Sequence, residues 1–143
     1  MEDICDLRQS DPSLEVLVSA ENSSRRANVL EQKCPSRTVL RHLTGRWTPL
    51  IVAVLAQRVP VRFKEIQEKV QGISPKVLTE TLRLMERDGL VIRKVTASIP
   101  PRVDYQLTEF GSTVVEPLAM LRRWSEQHVD EVEAHRRRYD EEH

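Results

Sequence analysis

The apolar residues of this chain recur at helical spacing in a series of short segments, and glycines fall at the segment ends. Apolar positions three and four residues apart mark the buried face of a helix, and glycine commonly ends one. The pattern predicts four helices, which begin near Pro35, Trp47, Phe63 and Ser74. The tight turn around Gly72, between the last two of them, predicts a helix-turn-helix.

The period of the pattern changes after the fourth helix. Residues 90–95 and 103–107 alternate in polarity, and the connection 99–102 contains two prolines, which predicts a two-stranded β-hairpin with a stiff tip. Over 114–132 the spacing is helical again, and Pro117 is expected to bend this helix or mark its start. The order of elements predicts an α+β, mainly helical fold, a winged helix-turn-helix.

Length and composition favour one globular domain. The 143 residues are 39% hydrophobic and include two cysteines, and no apolar run approaches the ~20 residues of a transmembrane helix. The acidic segment 1–6 lacks the basic and apolar parts of a signal peptide, so we expect a cytoplasmic protein without a membrane partner. The predicted organisation is a mobile N-terminal arm over 1–33, a domain over 34–128, and a charged extension of the last helix over 129–143.

The charge changes meaning when it is counted by segment. The whole chain carries 22 basic and 22 acidic residues, which at first argues against a nucleic-acid partner. Residues 34–128, however, hold fifteen basic and nine acidic residues, whereas 1–33 hold four and seven and 129–143 hold three and six. A basic middle between acidic ends is typical of nucleic-acid binding, although a solvated surface gives the same surplus.

Several short motifs follow one another along 34–128. They are Cys34-Pro35, Gly45-Arg46-Trp47-Thr48, Arg62-Phe63, Gly72-Ile73-Ser74-Pro75-Lys76-Val77-Leu78-Thr79, Leu82-Arg83, Asp88-Gly89-Leu90-Val91, Pro100-Pro101-Arg102-Val103-Asp104-Tyr105 and Leu107-Thr108-Glu109-Phe110-Gly111. On these residues the chain resembles the HxlR-type transcriptional regulators, small bacterial winged-helix proteins related in fold to the MarR type. The resemblance implies a homodimer that binds double-stranded operator DNA, with dimerisation helices at the N- and C-terminal ends of the domain. Glu80 and Thr81 depart from the polar amide and arginine that the family commonly carries, so the operator sequence does not transfer.

In a helix-turn-helix, the second helix enters the major groove with its N-terminal residues at the base edges. We expect this recognition helix over about 75–87, and the wing over about 93–104 at the minor groove. The predicted DNA-contacting residues are Ser74, Lys76, Thr79, Glu80 and Arg83 of the helix and Arg93, Lys94 and Arg102 of the wing. For the basic residues, the alternative is a solvated surface charge.

The apolar stripe of the last helix predicts an interface between two copies of the chain. Two DNA-binding units on half-sites about one helical turn apart gain specificity that one unit lacks. The predicted interface residues are Leu118, Leu121, Trp124 and His128. The alternative is that the stripe packs wholly inside the monomer.

Cys34 opens the first helix beside Lys33 and near Arg37, where positive potential favours a thiolate that reacts with oxidants or electrophiles. The resemblance adds that several family members use a cysteine at the matching place as a sensor. The alternative is a buried, inert cysteine. Cys5 either forms a disulfide with Cys34, within or between chains, or has no role. An oxidant or small-molecule effector is compatible with the sequence but not identified by it.

The sequence predicts neither a catalytic centre nor a metal site. Its four histidines have no metal-ligand spacing with the cysteines, and it contains no glycine-rich phosphate loop or nucleophile elbow. We therefore expect no enzyme, no cofactor and no metal. The rival to operator binding is a winged-helix module for protein contact, because the fold alone does not imply DNA binding. Lys76, Arg83 and Arg102 clustered side by side would favour DNA, whereas a scattered arrangement or pairing with acids would favour a protein partner.

Overall fold

A computed structural model describes residues 27–143. The chain divides into two compact units, and the second begins at Gly45. In the described part of the first unit, helix α1 spans Pro35–Leu43. Pro35 at its start loses no intrahelical hydrogen bond, and at its end the N–H of Thr44 donates to the carbonyl of Leu40. Residues 1–26, most of the predicted N-terminal arm, lie outside the described residues.

The second unit contains the predicted winged helix-turn-helix. Its elements in chain order are α2 (Thr48–Leu55), β1 (Val61–Arg62), α3 (Phe63–Lys69), α4 (Pro75–Arg87), β2 (Val91–Thr96), β3 (Arg102–Leu107), α5 (Glu109–Ser112) and α6 (Val115–Glu142). Helices α3 and α4 form the helix-turn-helix, and strands β2 and β3 form the hairpin of the wing. The fold class predicted from the sequence is confirmed.

The wing belongs to a three-stranded antiparallel sheet in the order β1-β3-β2. The two-stranded wing is confirmed as β2 and β3, and β1 adds a third strand to the sheet that the sequence does not predict. Strand β1 pairs Val61 with Tyr105 and Arg62 with Asp104. A strand of two residues is too short to show alternation in sequence, and it exists because β3 supplies its hydrogen-bonding partner.

Three residues determine how the chain turns from α3 into α4. Gly72 has a φ of 90°, a conformation that residues with a side chain rarely adopt. Ser74 then caps α4, because its Oγ accepts a hydrogen bond from the N–H of Val77 at 3.2 Å. Pro75 follows in the first turn, where a missing N–H costs no helical hydrogen bond. The start of α4 is thereby fixed.

The core of the second unit forms between α2, α3, α4 and the sheet. Its largest fully buried side chains are those of Ile51, Val52, Leu55, Ile66, Leu78 and Leu82. Each such side chain contributes about 1.5–3 kcal/mol relative to exposure. Leu78 and Leu82, together with Met85, form the buried stripe of α4 that the sequence predicts. The opposite side of α4 is consequently left in solvent.

Helix α6 begins at Val115 and runs without interruption to Glu142. Pro117 lies in its first turn, so the proline marks the start of the helix rather than a bend within it. The helix packs against α2 and buries Leu118 and Ala119. Its last part contains most of the charged segment 129–143 and ends at Glu142.

Candidate nucleic-acid interface

A cleft of about 810 Å³ lies between α4 and the wing. Three parts of the fold line it: the start of α3, the exposed side of α4, and the hairpin with its tip. The lining residues are Arg62, Phe63, Lys64, Thr79, Arg83, Glu86, Arg93, Ser98, Ile99, Pro100, Pro101, Arg102, Val103 and Tyr105. The cleft thus joins the helix-turn-helix to the wing.

Most of the charged side chains that line this cleft are basic. Five of them, Arg62, Lys64, Arg83, Arg93 and Arg102, lie there with a single acid, Glu86, and we refer to the five as the cleft cations. All five residues are exposed to solvent. Like charges gathered around a concave surface produce a positive potential that attracts a polyanion. The cleft is therefore suited to a chain of phosphates.

Arg102 is oriented by a buried carboxylate. Its Nε donates to the two carboxylate oxygens of Asp104 at 3.2 and 3.0 Å. Asp104 is only 7% exposed and lies directly opposite Arg62 on β1 and Lys94 on β2. Because both hydrogen bonds use Nε, the terminal amino groups of the guanidinium are left to meet another anion. The sheet thus holds Arg102 at the edge of the cleft.

The predicted contact residues of α4 divide into two groups. Thr79 and Arg83 line the cleft, whereas Ser74, Lys76 and Glu80 are exposed outside it. Two of the hydroxyls already serve the helix itself, since Ser74 caps it and the Oγ1 of Thr79 donates to the carbonyl of Pro75 at 2.8 Å. Among the predicted contact residues, the charged groups on the polar side of α4 are therefore Lys76, Glu80 and Arg83.

The two predicted cations of strand β2 lie on opposite faces of the sheet. Arg93 is paired with Tyr105 and lines the cleft, while Lys94 is paired with Asp104. Successive side chains of a strand point to opposite faces, and by the register Lys94 shares its face with Arg62 and Asp104. Arg93 joins the cleft cations, and Lys94 does not.

Two of the cleft cations, Arg62 and Lys64, are absent from the sequence prediction. Arg62 occupies β1 and immediately precedes α3, and Lys64 lies in the first turn of that helix. A cation at a helix N-terminus opposes the positive end of the helix dipole. That unfavourable placement beside Phe63 is the sequence signal that could have marked both residues as parts of a site.

The criterion for DNA is met in part: two of the three residues lie together in the cleft, one of these two is paired with an acid, and the third lies apart. Arg83 and Arg102 share the cleft, whereas Lys76 lies outside its lining. Arg102 is also paired with an acid, but that acid is nearly buried while the Arg102 side chain is 45% exposed. The ion pair thus leaves the positive group of Arg102 accessible to a ligand.

The predicted interface residues of α6 are divided between the core and the surface. Leu118 is 4% exposed and belongs to the monomer core, which corrects its assignment to a dimer interface. Leu121 and Trp124 are each 55% exposed. His128 is half-buried and stacks on Trp124 with 4.5 Å between ring centroids. Met120 and Val129 extend this exposed apolar stripe along the helix.

Cys34 is buried and disulfide-bonded. The sulfur therefore carries no free thiol in this structure, and a disulfide is one of the alternatives that the sequence left open. The sensor role of Cys34 stays a prediction. The Ser36 hydroxyl donates to the Sγ of Cys34 at 2.9 Å. Cys5 lies outside the described residues.

The part of the chain that the structure describes offers little for other kinds of site. Within 27–143, no three side chains of His, Cys, Asp or Glu are arranged to hold a metal ion. Glu131 and His135, one turn apart on α6, approach to 3.8 Å, and such pairs are common on helix surfaces. None of the described helices combines the length and hydropathy that crossing a bilayer requires.

A helix-turn-helix with one exposed side, a β-hairpin wing and a cationic cleft between them define a winged helix-turn-helix protein of the transcription-regulator class. The chain belongs to the HxlR family: the model of the HxlR-like helix-turn-helix matches residues 42–133. The resemblance stated from the sequence motifs is confirmed. The similar proteins are transcriptional regulators by name, and none of those described below is named as an enzyme.

The similar proteins cover most of the chain. The uncharacterized HTH-type transcriptional regulator YtfH of Escherichia coli is 38% identical over 115 residues, which is 80% of this chain and 90% of the relative. The solved structure of the putative transcriptional regulator ytfH from Salmonella typhimurium is 37% identical, covers 78% of this chain and 99% of its own, and has a TM-score of 0.74. The redox regulator HypR in its reduced form is 32% identical, covers 70% of this chain and 98% of its own, and has a TM-score of 0.63.

Proposed function

We propose that this chain is a sequence-specific transcriptional regulator that binds double-stranded operator DNA as a homodimer. The observation that carries the proposal is the set of cleft cations between α4 and the wing. A DNA strand lying along the cleft would bring its phosphates to these cations. The exposed side of α4 would then enter the major groove, and the wing would reach the adjacent minor groove.

The residues of α4 would divide between the backbone and the bases. In the first turn of the helix, Pro75 has no N–H and the N–H of Val77 donates to Ser74, so the backbone N–H of Lys76 can bind a phosphate and its side chain adds charge there. Thr79 and Arg83 face the cleft and are the candidates for contact with base edges, since arginine binds guanine through two hydrogen bonds. Glu80, exposed on the same helix, can accept a hydrogen bond from cytosine.

The wing would supply the contacts beyond the recognition helix. Arg93 and Arg102 line the cleft, and Arg102 is held at its edge by Asp104. Lys94, which lies outside the cleft lining, would meet a phosphate only where the DNA wraps past the wing. Arginine next to a narrow minor groove is attracted by its negative potential, which makes Arg102 the stronger candidate there.

The homodimer would form through the exposed stripe of α6. Leu121 and Trp124 are large apolar side chains that the described residues leave more than half exposed, and His128 stacks on Trp124. A contiguous apolar surface of this kind is typical of an interface with another protein molecule. A second copy is the partner that the DNA requires, because two half-sites one helical turn apart need two recognition helices.

Selection from a randomised duplex library tests the proposed function directly. The full chain is immobilised and the bound duplexes are sequenced, and sedimentation of the protein alone gives its mass. We expect an enriched motif with two-fold symmetry, half-sites about 10 bp apart, and a dimer at micromolar concentration. A folded protein that enriches no sequence would favour the protein-contact module. A monomer at micromolar concentration would refute the proposed dimer.

We also propose that oxidation at Cys34 regulates DNA binding. Cys34 is disulfide-bonded here, and the related HypR is named a redox regulator. Reduction of this disulfide by dithiothreitol would consume two electrons and two protons and give two thiols. Oxidation by diamide would remove the same electrons and protons and form the disulfide again. Duplex affinity is measured in each reagent for the wild type and Cys34→Ser. We expect the duplex affinity to differ between the two reagents in the wild type alone. An affinity that is the same in both reagents for both proteins would refute the sensor role of Cys34.

A further inference from the structure

Ile99 is an apolar side chain that nothing in the described part of the fold covers. Its exposure is 103% of the reference value, the highest among the large hydrophobic residues described. Ile92, on strand β2 of the same hairpin, is 56% exposed because the sheet shields one side of it. Water around a whole isoleucine side chain is unfavourable, so a residue presented in this way is suited to a surface that it meets on binding.

The tip of the wing holds Ile99 in place. Strand β2 ends at Thr96 and β3 begins at Arg102, and the connection is short. The rings of Pro100 and Pro101 fix two of its φ angles. The hydroxyl of Ser98 donates to the carbonyl of Pro100 at 2.7 Å, which closes the turn around Ile99. A tip ordered in advance loses little conformational entropy when it binds.

The position of Ile99 relative to the cleft indicates what it meets. Ile99 lines the same cleft as Arg83 of α4 and Arg102 of β3. One phosphate strand lying there separates the major groove, on the side of α4, from the minor groove, on the side of the wing. The cleft cations would hold that strand. Ile99, on the tip beyond Arg102, would then lie at the minor groove.

We propose that Ile99 is a specificity-determining residue that contacts the minor groove and favours A·T pairs beside the sequence read by α4. The inference rests on the proposed function. A G·C pair places the N2 amino group of guanine in the minor groove, where an apolar side chain would obstruct its hydration, whereas an A·T pair presents acceptors alone. Apolar side chains of other DNA-binding proteins enter minor grooves and partly unstack base steps.

The first test compares three proteins in a selection from a randomised duplex library: the wild type, Ile99→Ala and Ile92→Ala. Ile92→Ala is the matched control, because it is the same substitution in an exposed part of the same hairpin. We expect all three to enrich the same central sequences. The wild type and the control would also enrich flanking A·T pairs, and Ile99→Ala would lose that preference and bind the best duplex about tenfold more weakly.

The second test separates the two grooves. In the best duplex for the wild type, the flanking A·T pairs are replaced by G·C or by inosine·cytosine, which lacks the amino group but resembles G·C in the major groove. We expect wild-type binding to tolerate inosine·cytosine and to weaken with G·C, and Ile99→Ala to bind all three alike.

Each outcome bears on one proposal. Flanking preferences that are unchanged in Ile99→Ala, or inosine·cytosine that weakens binding as much as G·C, would overturn the role of Ile99. A wild type that enriches no duplex at all would instead overturn the proposed function.

Discussion

Arg83 and Arg87 provide a matched pair for testing whether the cleft holds DNA. Both are exposed arginines of α4, and they lie one turn apart. Arg83 lines the cleft, and Arg87 in the last turn does not. The two substitutions to alanine remove the same charge and the same side chain from the same helix. A difference between Arg83→Ala and Arg87→Ala therefore reports the cleft rather than net charge.

The expected size of the difference follows from the number of cleft cations. On a duplex of scrambled sequence, Arg83 has no operator guanine to bind and meets a phosphate instead. Five cations meeting five phosphates then give a slope of log affinity against log salt of about −4.5 per protomer, or about −9 per dimer. Arg83→Ala removes one contact from each protomer, so the dimer slope becomes about −7. Per protomer, raising the salt fourfold weakens the wild type about 500-fold and the variant about 150-fold. Arg87→Ala should leave the slope near the wild-type value.

The assay is fluorescence anisotropy of a labelled duplex about three helical turns long, titrated with each protein at several potassium chloride concentrations. A duplex of scrambled sequence is sufficient, because the backbone contacts do not depend on sequence. Thermal melting of each variant shows that it is folded. Equal slopes for the wild type and both variants would refute the cleft as the path of the DNA backbone. An equal reduction in both variants would show that only the overall charge of α4 matters.

Three further predictions concern the frame of the site. Gly111→Ala places a Cβ against the carbonyl oxygen of Leu90, and we expect a loss of about 2–3 kcal/mol in urea unfolding because backbone must move. Ser74→Ala removes the cap of α4 and should cost about 1 kcal/mol, with recovery in Ser74→Asp, measured in the same way. Trp124→Ala should dissociate the dimer in sedimentation while the monomer stays folded, whereas Leu118→Ala should cost about 2–5 kcal/mol of stability because its side chain is in the core. A folded but still dimeric Trp124→Ala would contradict the proposed interface.

Periodicity predicts a helix most directly where the helix buries one stripe of apolar side chains. The buried side chains of α4 are Leu78, Leu82 and Met85, the residues that the spacing indicates. The same rule fails for β1, which has two residues and no measurable period. Its existence depends on β3, far along the chain, and local sequence contains no information about that pairing.

Only some of the cleft cations can be predicted from the local sequence. The sequence predicts Arg83 and Arg102 because they lie on the recognition helix and the wing. Arg62 lies in the cleft because β1 pairs with β3. Alternation along a strand separates Arg93 from Lys94, but it does not say which of the two lines the cleft, because Arg62 and Arg102 line it although the register places them on the face of Lys94. The set of residues that line the cleft is therefore a property of the tertiary structure.

The stripe of α6 shows what helical spacing cannot decide. Leu118 and Leu121 belong to one apolar pattern, yet the first is buried and the second is more than half exposed. The difference arises because α2 covers only the beginning of a helix that extends to Glu142. Where a neighbouring helix ends is a property of the packed structure, so the boundary between the core and the exposed stripe is not visible in sequence.

The neutral charge of the chain and the positive charge of the cleft have a joint consequence for binding. At physiological salt, interactions between exposed charges are screened beyond about 8 Å, so phosphates in the cleft experience mainly the five cleft cations. Farther away, 22 acidic residues balance 22 basic ones, and a DNA molecule gains little attraction before it is seated. Binding to arbitrary sequences should therefore be weak, and a larger part of the affinity for the operator must come from the side chains of α4 and the wing that enter the grooves.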